Sequence, residues 1–207
     1  MKRNIILRSI ILASAVMIFL TGCKKETESA DDTVNRPKET ETSSETPGET
    51  QINALKDFTC HTMDGGTFTQ DDFSEKDLTI MNFWMTTCQP CVREIPQLEQ
   101  IKNTLPENVQ MVLVSLDDPL YLNDVKSIIE QTGFTGTVMM CGDQDMKELS
   151  KTLLYVPTTL FFDNQGNIVG SAIVGSPENI EETYTASIND ILKDLGKDTE
   201  WKESFSH

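Results

Sequence analysis

The stretch Ile80-Met81-Asn82-Phe83-Trp84-Met85-Thr86-Thr87-Cys88-Gln89-Pro90-Cys91-Val92-Arg93-Glu94 decides how the chain is read. It opens inside an apolar run from Leu78 to Phe83, the composition of a strand covered on both faces. Beyond it, Ile95, Leu98, Ile101 and Leu105 recur at spacings of three and four, the stripe of an amphipathic helix. Pro96 lies within that stripe and predicts a kink, because it lacks an amide proton and crowds the preceding turn. Cys88 and Cys91 therefore stand where a strand hands over to a helix. Two thiols at that spacing and junction suit reversible thiol/disulfide exchange.

A helix that starts at Cys88 has free amides and the positive end of its dipole beside that sulfur, which favours a thiolate there. Cys88 is the expected nucleophile and Cys91 the resolving thiol, which releases the partner from the mixed disulfide. Between them, Pro90 removes one amide and Gln89 adds no charge. Glu94 follows Cys91 by three residues and shares nearly the same helical face. Buried, its carboxyl would titrate high and exchange a proton with the resolving thiol; exposed, it would simply favour the first helical turn. The bland readings are ordinary buried cysteines, or a four-thiolate metal site that adds Cys60 and Cys141, a second pair without close spacing. Covalent haem attachment requires His after the second cysteine, and position 92 is Val. No cofactor is implied, since the electrons reside in the two sulfurs.

Further along the chain, Val109 to Leu116 is another continuous apolar strand, and Asp117-Asp118-Pro119 a turn. Val125, Ile128 and Ile129 mark a helix stopped near Gly133, and Thr137 to Met140 a short strand. Met146, Leu149 and Leu153 share one helical face. Pro157 to Phe162 reads as a strand that turns at Asp163-Asn164-Gln165-Gly166 and returns as Ile168 to Val174. The last helix is expected from Pro177 to Leu195, with Gly196 as its stop. Ahead of the central stretch, Ala54 to Phe73 reads as a hairpin turning at Asp64-Gly65-Gly66. The order hairpin, β, α, β, α, β, α, β, β, α predicts an α/β fold with a mostly parallel sheet between helices, made mixed by its terminal hairpin.

Residues 82 to 91 with Arg93, Glu94 and Pro96 resemble the active-site segment of the exported, membrane-anchored thioredoxin-like proteins of the TlpA/ResA type. Val156-Pro157-Thr158 is similar to that family's cis-proline loop, Asp57-Phe58 with Asp64-Gly65 to its opening hairpin, and Asp163-Asn164-Gln165-Gly166 to its late turn. The resemblance covers roughly residues 52 to 195. It implies a thioredoxin-like three-layer fold, a central mixed β-sheet flanked by helices, with an N-terminal β-hairpin extension. It also implies a cis Pro157 beside the cysteines, with Val156 offering backbone groups to an extended substrate segment across Cys88. Read without the resemblance, Pro157 is equally a strand-initial proline. The resemblance supports Glu94 as a proton partner. Trp84, Thr87, Gln89 and Pro90 are the expected substrate contacts, although a core role suits Trp84 as well. Thr87 occupies a position where the family more often has Trp, which makes the surface around Cys88 smaller and more polar and bears on partner choice.

The first 22 residues carry Lys2, Arg3 and Arg8, no acid, and an apolar run from Ile10 to Leu20. Followed by Thr21-Gly22-Cys23, they resemble a bacterial lipoprotein signal, with Cys23 lipidated; an uncleaved membrane anchor is the alternative. Residues 23 to 50 are nearly all polar, charged or Pro, and read as a disordered tether, leaving residues 51 to 207 for the thioredoxin-like domain. The formal charge of −16 becomes about −19 once Lys2, Arg3 and Arg8 are removed, which argues against nucleic acid as a partner. The expected location is the outer face of the cell membrane, lipid-anchored.

Cys60 and Cys141 are open to three readings: a mutual disulfide, a regulatory pair, or separate thiols. His61 and His207 read as surface residues. The favoured function is reduction of disulfides in exported proteins, with electrons from a membrane thiol carrier of the CcdA/DsbD kind. Apocytochrome c and an extracytoplasmic methionine sulfoxide reductase are the recipients the family suggests. The same cysteines could instead donate a disulfide, or form a structural bridge in a tethered adaptor or substrate-binding lipoprotein. A thiol peroxidase would require Thr or Ser three residues before its cysteine and Pro seven before it; Met85 and Met81 stand there.

Overall fold

The computed structural model describes residues 53–202. The expected signal segment, Cys23, the tether and His207 lie outside the described residues. Among the described residues, no helix is long and apolar enough to cross a membrane.

Strands β1 (Thr59–His61) and β2 (Thr67–Thr69) form the antiparallel opening hairpin. Its turn uses Gly65 at φ +92°, a conformation that L side chains rarely adopt. A 3-10 turn, Gln70–Glu75, carries Phe73 inward and is capped reciprocally by Thr69 and Asp72. The central sheet contains β3 (Leu78–Trp84), β4 (Val109–Ser115), β5 (Thr137–Met140), β6 (Thr158–Asp163) and β7 (Ile168–Val174), in the order β5-β4-β3-β6-β7. Helices α1 (Gln89–Thr104), α2 (Leu122–Thr132), α3 (Gln144–Thr152) and α4 (Ile180–Asp194) complete the fold. This is the thioredoxin-like α/β arrangement, a mixed sheet flanked by helices, with a β-hairpin in front.

All seven residues of β3 are buried, because the sheet is covered on both faces. Leu78, Ile80 and Trp84 point into a core shared with Ile95, Leu98 and Ile101 of α1 and Ile188 and Leu192 of α4. Met81 and Phe83 point the other way, into a core closed by the hairpin, Phe58, Phe73 and α3. Strand alternation thus divides one apolar run between two cores. Helix α1 continues through Pro96 to Thr104. Ile188→Val, which removes one methylene from a side chain with no exposed surface, should cost about 0.5–1.5 kcal/mol in urea unfolding.

Two expectations need correction. The sheet is less parallel than the alternating order suggested: β3, β4 and β5 run together, but β6 is antiparallel to β3. Thr158, at the start of β6, sits opposite Phe83 near the end of β3. Helix α3 has only nine residues and does not carry the chain back along the sheet, so the chain re-enters from the end it has just left. The last helix begins at Ile180 rather than Pro177; Ser176, Pro177 and Glu178 instead form the wall of a groove beside the cysteines. Beyond Gly196 the chain folds back. Trp201 is 3% exposed, its amide and carbonyl both hydrogen-bonded to the Asn189 side chain at 2.8 and 2.9 Å.

Candidate active site

Cys88 and Cys91 are joined as a disulfide at the start of α1. Cys88 is the N-cap residue, and its sulfur accepts a hydrogen bond from the Cys91 amide at 3.3 Å. Pro90 occupies the first turn, where its missing amide proton costs the helix nothing. Cys88 is half-buried and Cys91 fully buried, while Thr87, Gln89 and Pro90 are exposed around them. The Val156–Pro157 peptide is cis, and the Val156 carbonyl oxygen lies 3.6 Å from Cys88 Sγ. Residues 68 positions apart in the chain thus meet at the sulfur that remains accessible.

Trp84 does not belong to this exposed rim. It has no exposed surface and packs within the core that contains Cys91 and Ile95, so it cannot serve as a substrate contact. As the last residue of β3, its side chain follows the strand's alternation to the face that α1 and α4 cover.

Glu94 is 2% exposed. Its Oε1 accepts a hydrogen bond from Asn82 Nδ2 at 2.8 Å, and that amide group also donates to Thr159 Oγ1 at 3.0 Å. Thr159 Oγ1 is 2.6 Å from the Tyr184 hydroxyl. One polar cluster therefore links α1, β3, β6 and α4 inside an apolar core. Burial pushes the Glu94 carboxyl above its ordinary range, against the opposing effects of nearby Ser176 and Asn82. Among the described residues, Glu94 Oε2 has no hydrogen-bond partner within normal geometry. The carboxyl lines a groove of about 690 Å³ that it shares with Pro90, Val156 and Pro157. A buried carboxyl with a free oxygen, on the helix that carries the disulfide, can hold or take up a single proton.

Asp117 holds the loop on the other side. Its carboxylate accepts hydrogen bonds from the Thr86 amide and hydroxyl, both at 2.8 Å, and from Ser115 Oγ at 2.9 Å. It is only 7% exposed and ties the segment before Cys88 to the end of β4. Asp117→Ala leaves those donors without an acceptor and should lower stability by about 1–3 kcal/mol in denaturant titration.

Sequence reasoning missed Asp117, which read as a turn residue, together with Thr159 and Tyr184. Asn82 carried a signal, as an amide within a strand that is apolar but for Thr79. His61 is exposed as expected. Cys60 and Cys141 are free thiols. Among the described residues, no cluster of three or more His, Cys, Asp or Glu side chains is arranged to hold a metal.

Comparison with known proteins adds family and fold. The model of the Redoxin family matches residues 50–188. Curated relatives include the thiol-disulfide oxidoreductase ResA of Halalkalibacterium halodurans, 26% identical over 106 residues, which cover 50% of this chain and 58% of the relative. ResA of Oceanobacillus iheyensis is 32% identical over 90 residues, covering 43% of this chain and 45% of the relative. The chain thus spans about half the length of the curated relatives it matches. A thioredoxin-family thiol:disulfide interchange protein from Chlorobium tepidum superposes with a TM-score of 0.52 at 26% identity, over 69% of this chain and 95% of that one. The thioredoxin domain of a thiol-disulfide oxidoreductase from Bacteroides vulgatus gives 0.52 at 21% identity, over 66% and 97%, a likeness of fold.

Proposed function

This chain belongs to the Redoxin family, and from that premise we propose that it is an extracytoplasmic protein thiol-disulfide oxidoreductase working through Cys88 and Cys91. One observation carries the reading: a disulfide with one half-buried and one buried sulfur at the start of a helix on which the buried Glu94 follows Cys91 by three residues. In the disulfide form, a donor thiolate attacks Cys88 Sγ and the bond to Cys91 breaks. Cys91 leaves as a thiolate and takes its proton from neutral Glu94. A second donor thiol attacks the donor sulfur bound to Cys88, and the dithiol is free.

In the forward step, Cys88 thiolate attacks a partner's disulfide. Cys91, deprotonated by Glu94, then closes on Cys88 Sγ and expels the partner as a dithiol. The Val156 backbone and cis Pro157 position the partner's segment, with Thr87, Gln89 and Pro90 at the rim.

The surface supports a protein substrate. Leu120 (89% exposed), Leu154 (83%), Tyr155 (69%) and Val174 (61%) are large apolar residues left open. They flank the strand ends on the side where Trp84 meets Ser115 and Phe83 meets Thr158, which is the end of the sheet that carries Cys88. Large apolar residues left open at this end of the sheet suit an interaction face.

Residues 1–22 serve as a lipoprotein signal, Cys23 carries the lipid, residues 23–50 tether the domain, and residues 51–207 work at the outer face of the cell membrane. A CcdA/DsbD-like carrier supplies the electrons, and apocytochrome c or methionine sulfoxide reductase receives them. Equilibration of the full chain with glutathione redox buffers, followed by an insulin-reduction assay, tests the activity and its direction. A potential well below about −200 mV with insulin turnover is expected; one near −120 mV would assign oxidation instead. Absence of both exchange and turnover would overturn the reading.

A further inference from the structure

The second pair of cysteines lies apart from this site and plays no part in it. Cys60 is the inward residue of β1, between exposed Thr59 and His61, and packs with Phe58, Phe68 and Phe73. Cys141 follows β5, its amide donating to the Ser115 carbonyl at 2.7 Å, and packs half-buried against the same core. Between them runs an antiparallel seam: Thr62 bridges Met139, and the Met63 amide donates to the Val138 carbonyl at 2.8 Å. Two residues before Thr62 and two after Met139, the continuation of that register sets Cys60 against Cys141.

One step beyond, the register slips by a residue, and the Asp143 amide donates to the Thr59 carbonyl at 3.4 Å. Cys141 and Gly142 therefore oppose Cys60 together in a bulge. A Cβ on Gly142 would stand 2.5 Å from Cys60 Sγ, which places that sulfur directly against the bulge. Thr62 and Met139 form a pair of the kind not joined by its own hydrogen bonds, as the Met63 to Val138 bond shows, and the Cys60 position repeats that kind. Where the register is regular, such pairs hold their Cα atoms about 4.5 Å apart, at the lower end of the roughly 4.4–6.8 Å that a disulfide spans. Burial, and with it the neighbouring Cys141 sulfur, pushes the Cys60 thiol up to about 12.

We propose that Cys60 and Cys141 are a second dithiol, which closes to a disulfide across the seam between hairpin and β5, with Cys141 as the attacking thiol. Cys141 opens onto a cavity of about 650 Å³ bordered by His61, Met63, Pro119, Leu122 and Met140. Cys60 has no such access. The oxidant is a low-molecular-weight disulfide, R–S–S–R. Cys141 thiolate attacks one of its sulfurs, forming Cys141–S–S–R and releasing RS⁻. Cys60 gives its proton to that RS⁻, attacks Cys141 Sγ and releases the second RS⁻, which takes up the proton Cys141 had lost. Two protein thiols are oxidised, and the small disulfide leaves as two RSH. The new bond staples the hairpin, which covers one face of the sheet, to edge strand β5. None of this depends on Cys88 or Cys91.

The test uses the full chain with Cys88→Ser and Cys91→Ser, reduced, then exposed to glutathione disulfide and mapped by non-reducing peptide mass spectrometry. The expected product is a Cys60–Cys141 cross-linked peptide, reversed by dithiothreitol, with the melting temperature raised by about 5–10 °C. Adding Cys60→Ser should stop the reaction at a glutathione adduct on Cys141, whereas adding Cys141→Ser should leave Cys60 unmodified. Both thiols still open to alkylation after oxidation, or an adduct on Cys60 with Cys141 free, would overturn the proposal.

Discussion

Cys91→Ser should turn the protein from a catalyst into a trap. Once Cys88 has attacked a partner's disulfide, release depends on a thiol already held beside it in the first turn of the same helix. Well-oriented intramolecular groups act at effective concentrations of about 10⁵ M or more, while external thiols are supplied at millimolar levels. Insulin turnover should therefore fall by about three orders of magnitude or more. Intact mass should show the partner retained on Cys88, and Cys88→Ser should give neither turnover nor adduct. Turnover by Cys91→Ser within about tenfold of the parent would mean that Cys91 is not the resolving thiol.

Glu94→Gln should slow the resolving step by about 10²-fold, within the range of a positioned acid or base, and flatten its pH dependence. Burial holds the carboxyl neutral above its ordinary range, so below that raised pKa it has a proton for the departing Cys91 thiolate. Above it, the carboxylate can take the proton from Cys91 before attack. Glutamine keeps the shape and can do neither. Alkylation of Cys91 with Cys88 blocked, followed across pH in both proteins, reads this directly; superimposable profiles would exclude proton coupling.

Stability provides an independent check. The folded state binds the Glu94 proton more tightly than the unfolded chain does, so this group's contribution is complete below the unfolded pKa and is lost as pH rises through the folded one. Carboxylates whose pKa is depressed, such as Asp77 beside Lys197, act in the opposite direction but are common to both proteins. The melting temperature of Glu94→Gln minus that of the parent should therefore increase from about pH 4 to about pH 8. A constant difference would mean that Glu94 is not buried as a neutral acid.

The strand, the cysteine pair and the stripe of α1 were legible as a run, because each repeats with a period set by the backbone itself. The roles of the polar residues around the pair were not legible in the same way. Asn82 is 12 residues from Glu94 and 77 from Thr159, and Thr159 is 25 from Tyr184. Their meeting depends on α1 and α4 both packing on the face of the sheet to which β3 turns Asn82. Asp117 read as a turn residue because nothing local distinguishes an aspartate that caps a turn from one that holds a loop 31 residues away.

The direction of β6 was missed for a related reason. An order of alternating elements predicts parallel pairing when each helix spans the sheet, and nine-residue α3 does not. Only the assembled sheet shows at which end the chain re-enters. Likewise, the sequence contained Cys60 and Cys141 but no measure of their separation, which the bridge between Thr62 and Met139 supplies.

By itself, then, the sequence determined the class of elements, their order and the two sulfurs at the start of a helix, since hydrophobic period and residue type are local properties of a chain. The tertiary structure alone decided that Glu94 is buried, that Trp84 is core, that β6 runs backwards and that Cys60 lies against Gly142, next to Cys141. Each of those depends on which surfaces are pressed together when the apolar faces leave water, and no spacing along the chain encodes that.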